Sequence, residues 1–124
     1  MNQSMRNKEF ILRYFNALSG ETKTRELLNQ FIDDQLLIET IFFFDSAFPK
    51  YEHIAEELIS EGNQVVVRAR MRGKHEGEFS GMMPTHRSFD LPFVICYTIV
   101  NNKIATHWLI ADQSNLMEQL GMEI

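Results

Sequence analysis

The chain has 124 residues, 44% hydrophobic and 23% charged, enough for one domain around one core. Its net charge of −5 disfavours a broad nucleic-acid footprint, and a single cysteine, Cys96, excludes an internal disulfide and a cysteine-ligated metal. The opening MNQSMRNKEF lacks a signal-peptide run, and the most apolar stretch, LPFVICYTIV, is too short to cross a bilayer. The expectation is therefore a cytoplasmic single domain over residues 1–124, without nucleic-acid or membrane partners.

The first third reads as helix. Ile11, Tyr14, Phe15 and Leu18 recur at helical spacing, and Gly20 follows as a stop. Leu27, Leu28, Phe31 and Ile32 mark a second, short helix. Asp33 or Asp34 is placed to cap a third, whose stripe is Leu37, Ile41, Phe44 and Phe48. Pro49 ends it, because the residue before a proline is pushed out of the α region.

Strands follow. Residues 51–61 form a mixed apolar and acidic strand, and EGN at 61–63 is a turn signal. Val65, Val67, Ala69, Met71, Gly73 and His75 then alternate with Val66, Arg68, Arg70, Arg72 and Lys74. That period of two gives one apolar face and one basic face. Residues 87–100 form another strand, Asn101-Asn102 suits a hairpin turn, and residues 103–111 pair back. Leu116, Met117 and Leu120 mark a closing helix. Helices followed by antiparallel strands predict an α+β fold, with a curved sheet enclosing a small-molecule pocket.

Strand parity selects candidate residues. His75 shares the apolar face of its strand and is expected inside. Ile104, Thr106, Trp108, Ile110 and Asp112 share a face, so Trp108 and Asp112 are expected in the concavity and His107 outside it. A β-bulge would reverse this assignment, since one extra residue exchanges the two faces. A carboxylate in an apolar pocket has a raised pKa, which suits general acid/base work near neutral pH. Asp112 is equally placed to cap the last helix. His53 and His86 show no ligand spacing, and no phosphate loop or nucleophile elbow is present. Neither metal nor cofactor is required.

The stretch over roughly residues 35–121, with Phe48-Pro49 near its start and Gln119-Leu120-Gly121 at its end, resembles the SnoaL-like polyketide cyclase (ester cyclase) family of the nuclear transport factor 2-like superfamily. The likeness rests on Val65 to Arg68, on Gly73, His75, Gly77, Phe79 and Gly81, on Pro84-Thr85, and on His107-Trp108 with Asp112 four residues later. It implies a cone-shaped fold, a homodimer or larger assembly, and a deep pocket. It also implies that Asp112 is the general acid/base of a cofactor-free aldol closure on an apolar carbonyl ligand. His75 would polarise a substrate oxygen. Trp108, Phe79, Val67, Met71, Thr106 and Thr98 would line the wall, with residues 73–87 as the lip. The alternative is a non-catalytic binding or dimerisation module on the same fold.

Overall fold

A computed structural model describes residues 2–121. Three helices come first: α1 (Gln3–Leu18), α2 (Arg25–Asn29) and α3 (Gln35–Ala47). Four strands follow, β1 (Glu52–Glu61), β2 (Gln64–Lys74), β3 (Ser88–Val100) and β4 (Lys103–Ala111), and then α4 (Gln113–Gln119). The strands form one antiparallel sheet in the order β1-β2-β3-β4. The architecture is α+β, as the sequence pattern predicts.

The boundaries follow local chemistry. Asp34, not Asp33, caps α3, accepting the Leu37 N–H at 3.1 Å. Asn101 and Asn102 both have positive φ, 52° and 61°, as the tight turn between β3 and β4 demands. Gly77 is required because a Cβ there would lie 2.0 Å from the Ser46 carbonyl oxygen. The Glu76 and Gly77 N–H groups both donate to the Ala47 carbonyl, so the segment after β2 closes the C-terminal end of α3. Gln119 pins α4 to β3, its amide exchanging two hydrogen bonds with the Asp90 backbone at 2.8 and 2.9 Å.

Each edge strand carries one extra residue. In β1 the register shifts between Ala55 and Glu57, leaving Glu56 unpaired; in β4, Thr106 faces Thr98 while Ile104 faces Ile99, leaving Ala105 unpaired. Such bulges bend a sheet and change which side chains face inward.

The buried side chains form two clusters. One joins Ile11, Tyr14, Phe15 and Ile38 to Val65, Val67 and Tyr97. The other joins Phe48, Phe79, Phe89, Leu116 and Leu120 under the 75–87 segment. Both lie on the inner face of the sheet, with a gap at their junction.

Candidate functional site

The gap is a slot of ≈ 60 Å³ walled by Leu37, Ile41, Met71, Phe93 and Ile95. It is almost wholly apolar, with tyrosine hydroxyls and one imidazole as its main polar groups. Phe44, Leu91, Leu109 and Ala111 line both the slot and a wider cleft of ≈ 430 Å³ beside it. Phe43, Phe79, Leu116 and Met117 are among the other residues of that cleft. A larger depression of ≈ 800 Å³ lies between α1 and the β3–β4 turn, but its rim of Gln3, Glu9, Arg13 and Asn101 is exposed and polar. The slot better matches a small-molecule site: concave, apolar, with few polar atoms; the cleft beside it is mixed, with Ser80 and Gln113 in its lining.

His53 is the imidazole of the slot. It lies opposite Met71 on the inner face, is 8% exposed, and packs against Phe15 and Tyr51. Its Nδ1 has no hydrogen-bond partner. Burial first, and then the positive charge of Lys23, lowers its pKa from 6.5 to about 3. The ring is therefore neutral at physiological pH. Lys23 is itself buried, its ammonium donating to the Tyr51 carbonyl at 2.6 Å and lying 4.1 Å from the Tyr51 ring centre. Burial brings its pKa down to about 8, against the pull of Asp45.

Tyr14 and Tyr97 also line the slot, their rings meeting edge to face at 5.7 Å between centroids. Burial raises both pKa values, so both stay protonated. His107 lies opposite Tyr97. Its Nδ1 is 2.7 Å from Asp34 Oδ2, with both side chains largely buried. A carboxylate only accepts, so a proton belongs on Nδ1, and in the neutral ring that leaves the lone pair on Nε2.

A model of the SnoaL-like polyketide cyclase family matches residues 37–120, more than half of the chain. The chain belongs to the SnoaL-like polyketide cyclase family. Its fold is nuclear transport factor 2-like, shared with solved structures. A candidate SnoaL-like cyclase from Jannaschia sp. CCS1 is 23% identical, covering 100% of this chain and 98% of its own, with a TM-score of 0.80. A candidate polyketide cyclase from Acidithiobacillus ferrooxidans is 19% identical, covering 97% of each chain, at 0.81. AclR from Streptomyces galilaeus, a candidate hydroxylase, is 18% identical, covering 96% of this chain and 83% of its own, at 0.82. At these identities the likeness establishes the fold alone. No functionally curated protein matches significantly.

Within this SnoaL-like chain the expected residues divide. Met71 lines the slot and Phe79 the cleft. Val67 is wholly buried in the first cluster and does not line either space. His75 points inward but lies under the 75–87 segment, fully buried, where Nδ1 accepts the Thr85 N–H at 3.1 Å. It is a packing residue against Phe48, not part of either lining.

The inward placement of Trp108 and Asp112 is corrected. Trp108 is 49% and Ile110 66% exposed, and both lie on the outer face with Thr98 and Thr106. The extra residue Ala105 exchanges the faces of β4, so His107, Leu109 and Ala111 turn inward. Asp112 is exposed and caps α4, accepting the Asn115 N–H at 3.0 Å.

Sequence reasoning passed over His53, Asp34 and His107 as site residues. The usable signal for His53 was its place two residues after the buried Tyr51. For Asp34 and His107, separated by 73 positions, sequence spacing carries no signal.

Among the described residues, no cluster of three or more His, Cys, Asp or Glu side chains is arranged to hold a metal. Nor is any helix there long and apolar enough to cross a membrane.

Proposed function

We propose that the chain is a cofactor-independent cyclase acting on an apolar carbonyl compound, with His107 as the general base. Family membership supports the reaction class. The observation that carries the assignment is the Asp34–His107 pair, 2.7 Å apart; neither residue lines the slot itself, but His107 lies opposite Tyr97 of the slot wall and two residues before its Leu109. Asp34 holds the imidazole in one tautomer and stabilises the cation that forms when Nε2 takes a proton. His107 would remove the proton next to the substrate carbonyl. The enolate oxygen would be met by neutral donors, the Tyr14 and Tyr97 hydroxyls or an N–H of His53. Its carbon would attack a second carbonyl of the same chain, and His107 would return the proton to the new alkoxide.

The test is exchange of α-hydrogens for deuterium in acyclic β-diketones and β-keto esters, followed by NMR. Wild type should accelerate exchange, and His107→Gln and Asp34→Asn should each lower the rate about 10²-fold or more. Exchange unaffected by both substitutions would defeat the assignment.

A second reading is a non-catalytic binding protein. The unpartnered Nδ1 of His53 favours it, since a ligand oxygen would satisfy that buried atom without any chemistry. It predicts binding by wild type with no acceleration of exchange.

The chain is also proposed to form a homodimer through the outer face of the sheet. Trp108 and Ile110 are exposed there. Arg70 and Arg72 are already paired with Asp90 at 2.7 and 3.0 Å, and Arg68 with Glu56 at 3.2 Å. A face whose charges are matched internally can be covered by a second copy at lower desolvation cost.

A further inference from the structure

The slot and the cleft differ in size in a way that constrains the ligand. Specific small-molecule pockets usually enclose about 300–1,000 Å³. The cleft, at ≈ 430 Å³, falls in that range, whereas the slot, at ≈ 60 Å³, does not. A water molecule's share of liquid volume is about 30 Å³, so the slot has room for about two water-sized groups. Its unpartnered buried atom, His53 Nδ1, belongs to the slot and not to the cleft. Lys23 adds positive potential on that side, which favours the negative end of a carbonyl dipole.

Phe44 from α3 and Leu109 from β4 line both spaces. Phe44 stacks against Phe48 and Phe79, each at 6.2 Å between centroids, two rings that lie together on one side of it, 5.1 Å from each other. Leu109 is 40% exposed, so its side chain is not locked into the core. With Leu91 and Ala111 they form the wall that the cleft and the slot share.

We infer that the site selects a slender, unbranched chain ending in a carbonyl, threaded past Phe44 and Leu109 to His53, and rejects fused-ring carbonyl compounds from the slot. The bulkier body of the ligand occupies the cleft against Phe43 and Phe79. Phe44 and Leu109 are thus specificity-determining residues. The inference rests on the slot being the ligand site of the proposed function, but not on any chemistry taking place there.

The experiment compares a straight-chain methyl ketone with a naphthyl methyl ketone. Binding is read from the rise in Tm and from the His53 ring proton shifts by NMR. Wild type should bind the straight-chain ketone about tenfold tighter or more, the scale at which a pocket wall discriminates by shape. Leu109→Ala and Phe44→Ala should each admit the naphthyl ketone and remove most of that preference. Leu109→Ala is the safer variant, because its side chain is partly exposed. Equal binding of both ketones by wild type overturns the inference, as does failure of the straight-chain ketone to bind or to shift the His53 signals. So does an unchanged preference in a folded Leu109→Ala protein.

Repeating the binding in Asp34→Asn separates the two proposals. If the preference holds while no protein accelerates hydrogen exchange, the cyclase reading falls and the size selection stands. If exchange depends on His107 but both ketones bind alike, the size selection falls and the cyclase reading stands.

Discussion

Acid should destabilise this protein through His53, and the effect can be isolated. In the folded chain burial and Lys23 hold its pKa at about 3, below the ordinary 6.5. Above about pH 6.5 the ring is neutral folded or unfolded, and its stabilising contribution is complete. Below that pH the unfolded chain takes up a proton that the folded chain refuses, so stability falls as pH falls and levels off near the folded pKa. The full displacement corresponds to about 5 kcal/mol, and roughly 3 of that is lost between about pH 7 and pH 4. That is a large part of the 5–15 kcal/mol that about this size of domain possesses.

The neighbouring groups do not blur the comparison. Lys23 is already charged throughout this range, and Tyr14, Tyr51 and Tyr97 stay neutral, their pKa values raised by burial. Asp90, whose pKa is raised by burial but lowered further by the hydrogen bonds and charges of Arg70 and Arg72, for a net fall, also loses stabilisation in acid, but equally in wild type and variant. His53→Gln should cost about 1 kcal/mol at neutral pH, through lost ring packing on Phe15 and Tyr51. The gap should then close and reverse, so that the variant is the more stable protein near pH 4. Urea denaturation across this range measures it. Parallel stability curves for the two proteins would refute the burial argument.

Three further outcomes are expected. Asp112→Asn should leave both stability and hydrogen exchange almost unchanged, since Asn caps as well as Asp, while Asp112→Ala should cost about 1 kcal/mol in urea denaturation. Gly77→Ala should cost about 2–3 kcal/mol, because the clash is with the backbone oxygen of Ser46 and the segment must shift to relieve it; a fall in Tm of several degrees checks it. Trp108→Glu combined with Ile110→Glu should convert a dimer to a folded monomer in sedimentation, with the far-ultraviolet circular dichroism unchanged. A wild-type monomer, or a variant that still dimerises, would remove the outer face as the interface.

The elements were legible because each rests on local chemistry. The stripe Leu37, Ile41, Phe44 specifies a helix face, and Val65 to Met71 specifies a strand face that the register reproduces residue by residue. The family likeness was legible too, through the spacing of Gly73, Gly77 and Gln119, and the structure supplies reasons for each: close approach of Phe89, close approach of Ser46, and the clamp on Asp90. His75 was read correctly as inward, but its partner Thr85 lies across a turn of non-repeating backbone, where no period operates. The site itself was the least legible part. IATHW alternates as well as any strand, and nothing in those letters marks Ala105 as the residue that drops out of register.

The two bulges are what place the histidines. Counting back from the β1–β2 turn without the extra Glu56, His53 would pair with Arg72 and face outward; with it, His53 pairs with Met71 and faces the slot. Counting from the β3–β4 turn without Ala105, His107 would pair with Cys96 and face outward; with it, His107 pairs with Tyr97 and reaches Asp34. Each edge strand thus sacrifices one rung of pairing and turns one imidazole toward the interior. The two rings then meet different surroundings. His53 enters an apolar wall near a cation and is held neutral, whereas His107 hydrogen-bonds a carboxylate. In the proposed cyclase the first would serve as a neutral hydrogen-bonding group and the second as the base, the division that proton transfer beside a carbonyl demands.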